Sequence, residues 1–229
     1  MVAGEESGDI LGAGLLREIR KEFDCVEAIG IGGRRMVAEG FASWHDMERL
    51  SVRGYVEVLK RLPELLILRA KMKKRILDYL PDIFIGIDAP DFNLEIERFL
   101  KGKGIITIHY VSPSIWAWRS DRLKTIKKSV DKMLTLFPFE NSYYESFNIP
   151  VSFVGHPLAD TLYPEDNVEE LRKKLGMEEH DNPVISLLPG SRRSEVEQMT
   201  QVLLRTALLV TEKFPNATFL VPVVNKEIW

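Results

Sequence analysis

The sequence lacks several features that would point to particular classes of protein. Cys25 is the only cysteine among 229 residues, so no disulfide can form within the chain. The histidines are widely spaced and no DxD pair occurs, which argues against a zinc enzyme and against a metal-held nucleotide diphosphate. No apolar run approaches the roughly 20 residues of a membrane-spanning helix, and no basic-then-apolar leader opens the chain. We therefore expect a cytoplasmic protein without a metal site.

The composition that remains is that of an ordinary globular protein. Apolar residues make up 45% of the chain, charged residues 28%, and the formal net charge is −3, which excludes a disordered or collagen-like chain. Two segments are nevertheless basic. Residues 53–75 carry eight Lys and Arg against two Glu, a net +6, and residues 119–132 carry six against two Asp, a net +4. Each segment could face an anionic partner or form a solvated helix face.

Short β-branched runs alternate with helical patterns, which predicts βαβ units around a parallel sheet and a doubly wound α/β fold. The candidate strands are residues 26–31, 83–87, 105–110, 132–137, 151–154, 184–188 and 218–221. The candidate helices are residues 10–23, 65–79, 93–101, 119–128, 140–147, 168–175 and 194–214. We predict a first domain over 1–160, a linker over 161–181 and an incomplete second domain over 182–229. Because the first strand and the second sheet are short, we expect a fragment or a shortened form of a larger two-domain protein.

Small-residue turns follow two of the early strands. AGEESGD, at residues 3–9, opens a helical run, with Asp9 as its candidate N-cap. GIGGRRM, at residues 30–36, follows the next strand. Both turns would let a ligand approach backbone N–H groups, but both are equally well explained as plain strand-to-helix turns.

The segment GIDAPDFN, residues 86–93, places two carboxylates after a buried strand. Asp88 falls at the strand's carboxyl end, where open α/β sheets bind ligands, whereas Asp91 precedes a helix that it could cap. A carboxylate in a partly desolvated cleft can have its pKa raised toward the working pH. Asp88 is thus a candidate general base, with a second capping role as the alternative.

The segment HYVSPSIWAWR, residues 109–119, follows the next strand and holds two tryptophans. Trp116 and Trp118 could form a wall for a sugar ring or an acyl chain, or could pack between helices. His109 lies in or beside the strand and fits a satisfied core histidine. Ser112 and Trp116 are the candidate substrate-binding residues of this segment.

The segment LLPGSRRSE, residues 187–195, repeats the strand, turn and helix arrangement. Gly190 and Ser191 lie in the turn, and Arg192 stands at the helix start. A guanidinium beside free backbone N–H groups suits a diphosphate, while an ordinary capped helix, with Ser191 as the cap, explains the same residues.

The first basic segment is also amphipathic, and Pro63 is expected to break or kink its helix. A row of apolar side chains along one helix face usually packs in a protein core. Here, however, the apolar surface extends beyond one face. Flanking Lys and Arg fit a helix that touches anionic lipid. The candidate membrane or acyl-chain contacts are Val56, Val58, Leu59, Leu62, Leu65 and Leu66.

Together these segments, with VRGYVEVL, LFPFE and FVGHPL, resemble lipid-A-disaccharide synthases in order and spacing, nearly from Met1 to Asn225. The resemblance implies an inverting glycosyltransferase of the two-domain GT-B architecture that needs no metal or other cofactor. The implied reaction joins UDP-2,3-diacylglucosamine to 2,3-diacylglucosamine 1-phosphate (lipid X), giving lipid A disaccharide 1-phosphate and UDP. A peripheral protein on the cytoplasmic face of the inner membrane is also implied, with a possible homodimer in the full-length form and no nucleic acid partner.

The resemblance also assigns roles to single residues. It makes Asp88 the general base that takes a proton from the acceptor hydroxyl, and Arg192 the group that steadies the departing UDP. Residues expected to face the substrate cleft are Glu5, Ser7, Gly8 and Asn93. Two alternatives stay open: an inactive acceptor- or membrane-binding fragment without a donor domain, and another GT-B nucleotide-sugar enzyme such as an epimerase.

Overall fold

The computed structural model describes residues 1–50, 55–115, 122–161, 167–177, 182–190 and 193–222. The chain divides into two compact units, Met1–Leu162 and Tyr163–Trp229. The assignment of acceptor binding to one unit and donor binding to the other stays a prediction.

A seven-stranded parallel sheet forms the centre of the first unit. Its strands are β1 (Val2–Ala3), β2 (Ile29–Ile31), β3 (Ala42–His45), β4 (Ile83–Ile87), β5 (Ile106–Tyr110), β6 (Lys132–Thr135) and β7 (Val151–Phe153). They pair in the order β3-β2-β1-β4-β5-β6-β7. From β1 the chain adds β2 and β3 toward one edge of the sheet. It then returns to the other side of β1 and adds β4 to β7 toward the opposite edge. The carboxyl ends of β1 and β4 therefore flank the point where doubly wound sheets bind their ligands.

Helices connect these strands and cover the sheet. They are α1 (Glu6–Glu22), α2 (Arg34–Ala38), α3 (Tyr55–Tyr79), α4 (Pro90–Lys101), α5 (Arg122–Ser129), α6 (Asn141–Glu145) and α7 (Leu158–Thr161), with 3₁₀ turns at Met47–Arg49 and Pro138–Glu140. β4 is apolar throughout and buried from Phe84 onward, as expected of a parallel strand covered on both faces. The α/β fold predicted from the sequence is confirmed.

Helix α3 runs through Pro63, so of the break or kink expected at that residue the break does not occur. A proline inside a helix removes one backbone hydrogen bond and costs about 3 kcal/mol. Leu68, Met72 and Ile76 follow at helical spacing and are all buried in the main core. Burying each of these side chains stabilises the helix by about 1.5–3 kcal/mol, which together exceeds the cost of the proline.

The sheet has an edge strand, β3, that the sequence pattern did not predict. Its four residues, ASWH, are exposed or half-buried. Their sequence shows neither a continuous apolar run nor a clear alternation of apolar and polar residues, so no strand pattern is visible. The short helix α2 was missed for a similar reason, because five residues are too few to show helical periodicity.

The second unit contains a smaller parallel arrangement. Its described elements are α8 (Val168–Lys174), β8 (Val184–Ser186), α9 (Arg193–Lys213) and β9 (Thr218–Leu220). β8 and β9 pair in parallel, with Ile185 opposite Phe219. The strand, helix, strand unit expected after residue 182 is therefore present. The Asn167 side chain caps α8 by accepting a hydrogen bond from the Glu169 N–H at 3.0 Å.

Candidate functional site

Two turns meet at the carboxyl ends of the central strands. The turn after β1 contains Gly4 and Glu5, and the turn after β4 contains Asp88 and Ala89. β1 and β4 pair directly, with Ala3 opposite Ile87. A Cβ placed on Gly4 would lie only 2.7 Å from the Cβ of Ala89, so the two turns are in close contact. The structure thus brings Asp88 and the glycine-rich first turn to the same part of the sheet edge.

The backbone at this edge is strained. Asp88, Ala89 and Val111 have φ angles of 51°, 44° and 82°, in the region that favours glycine. Residues held in such conformations cost of order 1–3 kcal/mol each and cluster at active sites. A positive φ is most unusual for a β-branched residue such as Val111. All three residues follow the neighbouring strands β4 and β5, and this clustering marks the edge as a candidate site.

Hydrogen bonds on both sides hold the backbone of Asp88. Its N–H donates to the Tyr110 carbonyl at 2.8 Å, and its carbonyl accepts from the Asn93 side-chain amide at 2.8 Å. The same amide nitrogen donates to the Val2 carbonyl at 3.1 Å. Asn93 is fully buried. It therefore supports the Asp88 turn from inside the core, and its expected part in substrate binding stays a prediction.

Asp91 does not cap α4, although its position suggested that role. The helix begins at Pro90, ahead of Asp91, with Ala89 as the N-cap residue. The exposed Asp91 carboxylate forms an ion pair with Arg122 of α5 instead, and its backbone carbonyl accepts a hydrogen bond from Arg69 of α3. Asp91 thus joins three helices, and the half-buried Asp88 remains the candidate base of this segment.

The first turn of α1 supplies the other predicted residues of this edge. Glu5 is the N-cap residue and half-buried, Ser7 is exposed, and Gly8 is buried. A Cβ on Gly8 would lie 3.4 Å from the Ala3 Cβ and 3.5 Å from the Ile87 carbonyl oxygen. A small residue at this position therefore lets α1 lie close to β1 and β4.

Asp9 caps a different helix from the one expected. It lies inside α1, fully buried, and its carboxylate accepts backbone hydrogen bonds from Gly33 at 2.8 Å, Arg35 at 2.9 Å and Met36 at 3.0 Å. These groups form the start of α2, so Asp9 provides an N-cap from a distant part of the chain. The GIGGRRM turn is thereby used for packing between α1 and α2.

Ser112 follows β5 and forms hydrogen bonds inside the protein. Its hydroxyl shares a 2.7 Å hydrogen bond with the Tyr144 hydroxyl and donates to the Pro113 carbonyl at 3.0 Å. Burial raises the pKa of the Tyr144 phenol, although the bond to Ser112 acts in the opposite direction. Trp116 and Trp118, predicted as a wall for the substrate, lie outside the described residues.

A buried ionisable pair lies beneath the Asp88 turn. Glu97 of α4 and His109 of β5 are both fully buried, and Glu97 Oε1 lies 2.7 Å from His109 Nδ1. Burial raises the pKa of the Glu97 carboxyl, while the nearby His109 acts to lower it. The sequence indicated a satisfied core histidine but did not identify its partner. The sequence feature that could have identified this partner is the position of Glu97 on the apolar face of α4, between Leu94 and Leu100.

Helix α3 exposes part of the predicted apolar patch. Leu62, Leu66 and Ile67 are 41%, 45% and 57% exposed, and Leu65 is half-buried. The side chains of Val56, Val58 and Leu59 lie outside the described part of the structure. Among the described residues, no helix has the length and apolar character needed to cross a bilayer.

In the second unit, Gly190 ends the segment that follows β8, with a positive φ of 117°. A Cβ on Gly190 would lie 2.7 Å from the Glu195 Cβ, so this position also requires glycine for close approach to α9. Ser191 and Arg192 lie outside the described residues. Within the described ranges no group of three or more His, Cys, Asp and Glu side chains could hold a metal ion.

Sequence comparison decides the family. The sequence model of the family described as lipid-A-disaccharide synthetase matches residues 1–229. The chain belongs to this family. It is 51% identical over 227 residues to the lipid-A-disaccharide synthase of Methylobacillus flagellatus, covering 99% of this chain and 60% of that protein. It is 49% identical over 226 residues to that of Hydrogenovibrio crunogenus, with the same coverage of 99% and 60%. The chain thus spans about 60% of the length of these relatives.

Solved structures share the fold at low sequence identity. A UDP-GlcNAc 2-epimerase from Neisseria meningitidis, solved with UDP-GlcNAc bound, superimposes with a TM-score of 0.61 at 13% identity, over 99% of this chain and 65% of that one. A putative UDP-N-acetylglucosamine 2-epimerase from Listeria monocytogenes gives 0.57 at 12% identity, over 100% and 62%. The likeness supports a Rossmann-like fold of the GT-B type and carries no information about activity.

Proposed function

We propose that this chain provides the acceptor-binding part of a glycosyltransferase that joins UDP-2,3-diacylglucosamine to lipid X, giving lipid A disaccharide 1-phosphate and UDP. The observation that carries the proposal is the position of Asp88. It lies on a strained turn where the direction of strand addition reverses, beside the first turn of α1, in a chain of the lipid-A-disaccharide synthetase family. Ligands of open α/β sheets bind at this place.

Asp88 acts as the general base in the proposed mechanism. Its carboxylate accepts the proton of the acceptor hydroxyl while that oxygen attacks the anomeric carbon of the donor and the bond to UDP breaks. The anomeric configuration inverts because the attack and the departure occur on opposite faces of the sugar. Two backbone hydrogen bonds fix the turn, which supports this role because a base must be held in place.

The proposed donor contacts come from the second unit. Arg192 steadies the negative charge that develops on the UDP diphosphate, with Gly190 and Ser191 in the same turn. A guanidinium can neutralise this charge without a metal ion. Glu5, Ser7 and Gly8 bind the substrates from the first turn of α1, and Ser112 and Trp116 complete the set. Asn93 contributes through the Asp88 turn.

We further propose that α3 attaches the protein to the cytoplasmic face of the inner membrane, where both acylated substrates reside. Leu62, Leu66 and Ile67 expose apolar surface within the basic segment 53–75. Apolar side chains flanked by Lys and Arg favour binding at the surface of an anionic bilayer. A homodimer of the full-length form is part of the same proposal.

The reaction is tested in a chimera in which this chain replaces the segment that it matches in the full-length Methylobacillus flagellatus relative. The chimera is mixed with UDP-diacylglucosamine and lipid X in detergent, and both products are measured. Equal amounts of UDP and disaccharide support the proposal. Epimerisation of the donor without disaccharide would contradict it. Binding of lipid X to the 229-residue chain, measured alongside, shows whether this chain holds the acceptor without the rest of the full-length protein.

A further inference from the structure

The buried Glu97–His109 pair lies close to the Asp88 turn and has no role in the mechanism above. Three polar atoms of this region have no hydrogen-bond partner among the described residues: Asn93 Oδ1, Glu97 Oε2 and His109 Nε2. Buried polar atoms are rarely left in this way in native proteins. Such a cluster therefore requires a physical explanation.

Stability does not explain the pair. Replacing a buried ionisable pair by apolar residues of similar volume is often neutral or stabilising, because removing charged groups from water costs more than their attraction returns. Each unpartnered polar atom adds a further desolvation cost. Apolar side chains at Glu97 and His109 should therefore leave the core as stable or make it more stable, so stability alone does not account for the pair.

The pair lies where α4 packs against the sheet. A Cβ placed on Gly86 would lie 2.1 Å from Glu97 Oε1, so the carboxylate rests directly on the backbone of β4. His109 is the register partner of the same glycine on β5. The Glu97–His109 hydrogen bond thus joins α4 to β5, at a point where the Glu97 carboxylate is also packed against β4.

The Asp88 turn connects β4 directly to α4, the strand and the helix that contact each other at this pair. Asp88 and Ala89 are the two residues between the end of β4 at Ile87 and the start of α4 at Pro90. In so short a connection, the relative placement of strand and helix determines the φ and ψ angles. The strained conformation of both residues persists only because the surrounding structure imposes it.

We propose that Glu97 and His109 are positioning residues for Asp88, and that their hydrogen bond holds α4 over β4 in the placement that keeps the turn at positive φ. The inference rests on the proposed role of Asp88 as the base. A hydrogen bond constrains both distance and angle, whereas apolar contact is non-directional. An apolar pair would therefore preserve the core but not the geometry of the turn.

The first test measures amide hydrogen exchange in the 229-residue chain. In the double variant Glu97→Leu/His109→Leu, we expect the Asp88 amide to exchange at least about tenfold faster, while the free energy of unfolding is unchanged or higher. Glu97→Gln keeps a hydrogen-bonding partner for His109 and should exchange as the wild type does. Thr107→Val, which removes another buried side-chain hydrogen bond from β5, is the matched control.

Wild-type exchange at Asp88 in the double variant would overturn the inference, as would equal acceleration in Thr107→Val. A second variant, Gly86→Ala, displaces the Glu97 carboxylate and also crowds Asn93, because its Cβ would lie 2.1 Å from Glu97 Oε1 and 2.9 Å from the Asn93 Cβ. It should accelerate exchange at Asp88 as the double variant does, and unchanged exchange there would also count against the inference.

The second test uses the chimera and separates this inference from the proposed function. We expect the double variant to lower kcat about tenfold, with the KM for lipid X unchanged and with recovery in Glu97→Gln. Full kcat in the double variant, together with loss of turnover in Asp88→Asn, would refute the positioning role alone. Unchanged turnover in Asp88→Asn would refute the proposed function, and the exchange measurement would then still test the structural clamp.

Discussion

The side-chain amide of Asn93 donates a hydrogen bond of 2.8 Å to the backbone carbonyl of Asp88. With its second bond to the Val2 carbonyl, it connects the first turn of α4 to β1 and to the turn that follows β4. Both acceptors are carbonyl oxygens, which cannot donate a hydrogen bond. The NH2 group of the Asn93 amide must therefore be the group that faces them. Asn93 thus stabilises the turn that carries the proposed base.

Asn93→Leu should lower the free energy of unfolding by about 3 kcal/mol, because two buried carbonyls lose their donor. Asn141→Leu is the matched control, since Asn141 makes one partly buried hydrogen bond, to Thr135. We expect that variant to lose only about 1 kcal/mol. Urea denaturation measures both, and equal losses would show that the Asn93 bonds have no special importance.

Gly4 and Ala89 offer a test of the contact between the two turns. Gly4→Ala should destabilise the protein by about 1–3 kcal/mol, because its new Cβ would lie 2.7 Å from the Ala89 Cβ. Ala89→Gly removes that Cβ and relieves the positive φ. The double variant should therefore recover most of the loss in a double-mutant cycle. Simple additivity of the two changes would contradict the contact.

Asp131 should contribute stability that depends on pH. Partial burial acts to raise its pKa, but hydrogen bonds from the Thr107 N–H, Lys101 and the Thr107 hydroxyl outweigh this and hold the pKa below its usual 3.8. A lowered carboxyl pKa stabilises the fold above the unfolded value, and this contribution is lost as the pH falls through the folded value.

The cost of Asp131→Asn should therefore be largest at neutral pH and should shrink below about pH 3.8. Asp82→Asn, a change of an exposed carboxylate, is the control. Thermal unfolding across the acid range measures the difference between the variants. A cost of Asp131→Asn that stays constant down to about pH 2 would contradict the assignment.

The exposed apolar side chains of α3 should contribute to membrane binding. Leu66→Glu removes apolar surface and adds a negative charge near anionic lipid, so we expect binding to phosphatidylglycerol-containing vesicles to weaken about tenfold or more. Val37→Glu changes an equally exposed apolar residue on α2, outside the basic segment, and should have little effect. Cosedimentation measures both, and equal weakening would show that α3 has no specific contact with the bilayer.

The sequence predicted the elements that have strong local patterns. The boundaries of β4 match the prediction, because its apolar run lies between polar residues and a Pro-containing turn. The α/β class followed from alternating strands and helices. Asp88 was placed correctly at the end of a buried strand, because the apolar run of β4 stops clearly at Ile87.

The features that were missed depend on contacts distant in sequence. Asp9 caps α2 from 24 residues away, and the interaction of Asn93 with Val2 spans 91 residues. A short polar residue in the first turn of a helix has the same local pattern whether its side chain faces a ligand or a distant backbone group. The strain at Val111 was also hidden, because a β-branched residue gives no sequence signal of a positive φ.

The most direct test of the account is Asp88→Asn in the chimera, assayed for turnover and for binding of lipid X. Asparagine keeps the size of the side chain but cannot accept the proton, so turnover should fall by about a hundredfold to ten-thousandfold. Binding of lipid X should change by no more than about twofold, because the substitution leaves the shape of the site intact. Unchanged turnover would contradict the assignment of Asp88 as the base.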